Sequence, residues 1–169
     1  MKFISFKVAA PVVALGLLLA GCGGGSDDPS PTPIGATLTV SSATSPNFNG
    51  VYTTSAINLA DVVKIKRLDD ADETCSFKFS GPVKADGLTL GGDIRYIPAN
   101  YAMNVVFITI NDSVNAFEFQ SHQAANALVD LANNKVVFSG YTLTSSTGVA
   151  STITLTGSVP MIGGRPNGC

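Results

Sequence analysis

Thr152-Ile153-Thr154-Leu155-Thr156-Gly157-Ser158-Val159-Pro160-Met161 alternates apolar and small polar residues almost without a break. In an extended chain successive side chains point to opposite faces, so a period of two buries one face and wets the other. Ile153, Leu155, Val159 and Met161 share the inner face, and Thr152, Thr154, Thr156 and Ser158 the outer. A helix would instead repeat its apolar residues every three to four positions. The stretch is therefore a strand, the second arm of a hairpin with Lys135–Ser145 that turns about Thr147-Gly148.

The same period runs back through the chain. Leu38 and Val40 alternate with Thr37, Thr39 and Ser41, the first strand of a domain that begins near Ile34. Phe48, Asn49-Gly50 and Tyr52 mark a second strand entered through a bend, and Val63 and Ile65 alternate with Lys64 and Lys66. Cys75, Phe77 and Phe79 turn inward while Ser76, Lys78 and Ser80 turn outward. Asp86-Gly87 is a turn dipeptide. Beyond it Leu88, Leu90, Ile94 and Tyr96 hold one parity, with Gly91-Gly92 suggesting a bulge or sharp bend. Residues 103–110 are apolar on both parities, as a central strand is, and Phe117 and Phe119 then face in with Glu118 out. The stretch 121–132 fits either an apolar helical stripe capped by Ser121 or a hairpin about Asn133-Asn134, and the hairpin is the preferred reading. The result is an all-β domain of about nine or ten strands, an antiparallel β-sandwich or a small β-barrel. The aromatic residues Phe77, Phe79, Tyr96, Phe107, Phe117, Phe119, Phe138 and Tyr141 are expected in its core.

Upstream of this domain the character changes. Lys2 and Lys7 lead into an apolar run from Val8 to Leu19, followed by Ala20, Gly21 and Cys22. A charged start, a short apolar run and small residues make a secretory signal peptide, and about twelve apolar residues are too few for a bilayer span, which needs roughly 20. With a cysteine directly after, Leu19-Ala20-Gly21-Cys22 resembles the lipobox of bacterial lipoproteins. The resemblance implies cleavage after Gly21, so residues 1–21 are the signal. It implies diacylglyceryl transfer to Cys22 and a fatty acyl group, such as palmitate, on the new amino terminus. Gly23 rather than Asp follows the lipidated residue, which in that family points to the outer membrane. Residues 22–33, Gly-, Ser- and Pro-rich with no large apolar side chain, form a disordered tether, and residues 34–169 the single β domain.

Loss of Lys2 and Lys7 with the signal leaves eight basic against twelve acidic residues, a net charge of −4. That balance offers no footprint for nucleic acid. Cys75 and Cys169 remain as an even pair in an exported protein, and a disulfide between them is expected.

Little else carries chemistry. His122, the single histidine, falls on the exposed parity with Glu118 and Gln120, and no Gly-x-Ser-x-Gly elbow accompanies it. Asp69, Asp70, Asp72 and Glu73 are a weak calcium candidate without the order of an EF-hand loop, and otherwise a solvated turn. Asp93 and Glu118, both within strands, are the acids to examine first for general acid–base work, although Arg95 beside Asp93 suggests a surface ion pair. The expectation is a lipid-anchored envelope protein whose β domain has no catalytic residue, metal or cofactor and binds an envelope protein or polymer. The alternative is a carrier that holds a small apolar ligand in a lipocalin-like cavity.

Overall fold

In the computed structural model, which describes residues 32–66, 73–147, 150–161 and 164–169, eleven strands form one antiparallel sheet that closes on itself. They are β1 (Ala36–Ser41), β2 (Gly50–Thr54), β3 (Asn58–Leu59), β4 (Val63–Ile65), β5 (Thr74–Val83) and β6 (Thr89–Tyr96). The remainder are β7 (Met103–Asn111), β8 (Ala116–Ser121), β9 (Ala127–Asp130), β10 (Lys135–Ser145) and β11 (Thr152–Pro160). The domain is a closed eight-stranded barrel with extra strands, which selects the barrel over the sandwich.

Eleven strands fill eight wall positions because two positions are interrupted. β2, β3 and β4 follow one another along β5, at Thr53↔Val83, Asn58↔Ser80 and Val63↔Ser76. β8 and β9 likewise follow one another along β10, at Gln120↔Thr144 and then Ala127↔Phe138. Otherwise the chain meanders up and down, each wall strand beside the next, until β11 pairs with β1 from Thr37↔Ser158 to Ser41↔Thr154 and removes the sheet edge.

Alternation decides what fills the lumen. Ile153, Leu155 and Val159 of β11 are fully buried, as are Leu38 and Val40 of β1, and Cys75, Phe77 and Phe79 of β5 are buried as their parity requires. Tyr52, Tyr96, Tyr141, Phe77, Phe119 and Phe138 are the six largest enclosed side chains. The polarity is the reverse of a membrane-spanning barrel, whose apolar band faces outward.

Each end of the lumen is stoppered. At one end a 3-10 turn, Pro46–Phe48, drops Phe48 onto Phe117 and Phe119, with ring centroids 4.9 and 5.9 Å away. The Tyr52 hydroxyl donates to the Phe48 carbonyl at 2.9 Å. Lys84 Nζ donates to the carbonyls of Asn47 and Asn49 and pairs with Asp86 at 2.8 Å, fixing the turn from outside. The opposite end is closed by the segment 164–169, where Cys169 is bonded to Cys75 and its main-chain oxygen accepts from the Tyr96 hydroxyl at 2.7 Å.

Buried phenols give the barrel an alkaline limit. Desolvation pushes Tyr52 up to about 12, with the Asp86 charge adding to it, and burial also raises Tyr96 and Tyr141. A group with a raised folded value stabilises the fold fully below its unfolded value, near 10, and that contribution is lost as pH rises through the folded one. Denaturant midpoints should therefore fall between about pH 10 and 12, and Tyr52→Phe should flatten that fall. A Tyr52→Phe variant with an unchanged alkaline profile would refute the assignment.

Several sequence expectations are corrected. Gly91-Gly92 is no bulge: β6 keeps register on both sides, and the shifts fall at Ser80/Val83 and Arg95/Tyr96. Gly92 is needed because a Cβ there would lie 2.5 Å from the Phe107 carbonyl and 2.8 Å from the Phe79 ring. Val62 rather than Val63 enters the core, since β4 begins after an irregular approach, and Val63 is exposed. Phe107 faces outward, under a guanidinium, instead of joining the core. The stretch 121–132 forms the β9–β10 hairpin, as preferred. Cys22, Asp69, Asp70, Asp72 and Gly148 lie outside the described residues.

Candidate functional site

Strands β5 to β8 carry, on their outer face, a groove of about 810 Å³. Register builds it row by row. Ser80, Gly91, Thr109 and Glu118 stand side by side across the four strands, and Lys78, Asp93, Phe107 and Gln120 form the next row. The first row has small residues on β5, β6 and β7, so the floor is low there. The second has long or aromatic ones, so it rises as a wall. β3 supplies a lip through Asn58 and Leu59, held by its pairing to Ser80 and Phe79.

The wall is a fixed polar network. Asp93 Oδ1 accepts from the Ser76 hydroxyl at 2.8 Å, and Oδ2 accepts from Arg95 Nε at 3.2 Å and from a terminal nitrogen of the same guanidinium at 2.7 Å. The Arg95 guanidinium carbon also lies 5.0 Å from the Phe107 ring centre, within cation–π range. The two charged side chains are only 13–14% exposed. This is more than the surface pair expected from the sequence, because Ser76 on one side and Phe107 on the other shield it. Three donors hold the Asp93 carboxylate, which positions it as a structural anion.

Glu118, the other acid singled out, lies in the same groove two strands away and one row along, roughly 12 Å from Asp93 by strand spacing. Its side chain makes no hydrogen bond or ion pair among the described residues. His122 is elsewhere. It is exposed in a notch of about 320 Å³ between β8 and β10, where the wall strand is interrupted opposite the irregularity at Ser139/Tyr141. The Tyr141 hydroxyl seals that notch from within by donating to the Gln123 carbonyl at 3.0 Å. The Ser121 hydroxyl accepts from the Gln123 amide, and among the described residues no acid lines the notch with His122. Glu73, the one described residue of the calcium candidate, lies 3.9 Å from Lys64 Nζ. Among the described residues no group of three His, Cys, Asp or Glu side chains is placed to hold a metal ion.

Fold and groove together define a small, disulfide-bonded, eight-stranded antiparallel barrel with buried apolar and aromatic side chains inside it and a recess of mixed apolar and polar lining on its outer wall. No protein-family model, curated protein or solved structure matches the chain.

Proposed function

We propose that the chain is a lipid-anchored protein of the bacterial outer membrane, its barrel a non-catalytic binding domain carried on a flexible tether and engaging envelope material through the outer groove. The observation that carries this reading is the location of free space. Among the described residues eight aromatic side chains are buried inside the barrel, where a lipocalin-like carrier would hold its ligand, and a recess of about 810 Å³ lies outside on β5–β8. The anchor rests on Leu19-Ala20-Gly21-Cys22, and the Cys75–Cys169 bond suits an exported, oxidising compartment. Non-catalysis is supported by the engaged Asp93 carboxylate and by a histidine remote from both acids.

In cells, Cys22→Ser should abolish incorporation of labelled fatty acid. In the anchored chain, a benzophenone side chain installed at Thr109 should capture envelope material on irradiation, while the same group at the exposed Val114 of the β7–β8 turn should not. An apolar molecule extracted in equimolar amount from the purified protein, with nothing captured at Thr109, would favour the carrier instead.

A further inference from the structure

Building on the groove-binding reading above, we infer that the groove is a saccharide site that takes a neutral oligosaccharide chain laid across β5–β8. Four neutral polar side chains line it: Asn58, Ser80, Thr109 and Asn111. Among the described residues none of the four makes a side-chain hydrogen bond to the protein. Asparagines with structural work in this fold look different. Asn49 Oδ1 accepts from the Ala43 amide, Asn100 Oδ1 from the Ala102 amide, and Asn115 and Asn133 donate to Asp112 and Asp130. Those four each close a turn, whereas Asn58 and Asn111, like Asn47, Asn104, Asn126 and Asn167 outside the groove, make no side-chain bond among the described residues.

The vacant groups match a sugar. An amide side chain offers donors and an acceptor side by side, and a hydroxyl offers both, which is what a ring hydroxyl needs in order to be satisfied in both senses. Lys78 adds a donor at one wall and Glu118 an acceptor at the other end of the floor row. A site built to bond hydroxyls rejects ligands that lack them, because its own polar groups would be left unpaired. Apolar contact for the carbon face of a sugar ring falls to Leu59 and the Phe107 edge, as the chain has no Trp.

Charge and backbone geometry argue against other polymers. Lys78 and Arg95 balance Asp93 and Glu118, and Arg95 is already neutralised at 2.7 Å, so the groove selects neither a polyanion nor a polycation. An extended peptide gains affinity by adding to a free strand edge. β5, β6 and β7 are paired on both sides along the groove, and the unpaired edge of the lip strand β3 is two residues long, too short to template an extended peptide.

The test uses the full chain in detergent, titrated with maltohexaose, cellohexaose and chitohexaose, and separately with dextran sulfate, a decapeptide library and anionic phospholipid vesicles. Saturable binding of at least one neutral hexasaccharide is expected, weakened tenfold or more in the Asn58→Ala/Asn111→Ala double variant at an unchanged Tm. Equal affinity in the double variant would overturn the inference. Silence of all three hexasaccharides would overturn it too. If the Thr109 cross-linker then captures a polypeptide in cells, only the saccharide inference falls. If it captures nothing, the groove-binding reading falls with it.

Discussion

Replacing Cys75 and Cys169 together by alanine should cost the barrel roughly 4 kcal/mol and lower Tm by on the order of 10 °C. The bond links residues 94 apart, so in the chain-entropy account it removes a large part of the unfolded chain's freedom. Locally it joins the start of β5 to the segment that stoppers the lumen, and both sulfur-bearing residues are buried. Without it, that segment is held by the Tyr96 hydroxyl's bond to Cys169 and by the exposed bond that the Arg165 guanidinium donates to Asn134 Oδ1 at 2.8 Å. A single neutral hydrogen bond contributes about 1 kcal/mol, too little to offset the ordering of several residues, each costing about 1–2 kcal/mol. Tyr96→Phe with the disulfide intact is the matched comparison and should lose only about 1 kcal/mol. Denaturant titration of the three proteins under non-oxidising and non-reducing conditions decides the matter. A double-alanine variant no weaker than Tyr96→Phe would show that the covalent link contributes nothing beyond local contact.

Most of the wall could be read in the chain, because period-two alternation is a local property and these strands keep it. Cys75 was placed inward by its parity with Phe77 and Phe79, and it is there that Cys169 meets it. Closure into a barrel was a different matter. A sandwich and a barrel bury the same alternate residues, and the choice depends on β1 meeting β11, a pairing between residues more than a hundred positions apart. The strand count was low because β3 has two residues, too short to show any period. Phe107 was misassigned because its apolar side chain outweighed its parity. The outward position is tolerable only since Arg95, across the ladder, covers the ring.

The groove was invisible for a related reason. Ser80, Gly91, Thr109 and Glu118 each look like ordinary solvated positions, and only the registers of β5, β6, β7 and β8 set them in one row. Asp93 and Glu118 were singled out as strand-borne acids, and both do line the groove. The sequence pointed to the Asp93–Arg95 pair, but not to the Ser76 hydroxyl that joins it or to a Glu118 left unengaged among the described residues.

Gly157→Ala should destabilise the barrel by roughly 3 kcal/mol or more, from backbone strain of about 1–2 kcal/mol and overpacking of about 1–3 kcal/mol. Gly157 interrupts the alternation of β11 at an inner-face position, between Leu38 of β1 and Phe138 of β10, both buried. Its φ of +128° is a conformation that side-chain-bearing residues avoid. A Cβ there would run into the Thr37 carbonyl oxygen and come within 3.1 Å of the Leu38 Cα. Both obstacles are backbone, so relief requires moving β1 away from β11 at the seam that closes the barrel. Gly140 separates the two contributions. It also has a positive φ, +72°, but a Cβ on it would meet nothing within 4 Å. Gly140→Ala should therefore cost only the strain, about 1 kcal/mol. Hydrogen exchange adds a local readout: amides of Thr37–Ser41 should lose protection in Gly157→Ala and keep it in Gly140→Ala. If the two variants prove equally stable, with Thr37–Ser41 equally protected, the close approach of β1 to β11 at Gly157 is not what holds the seam.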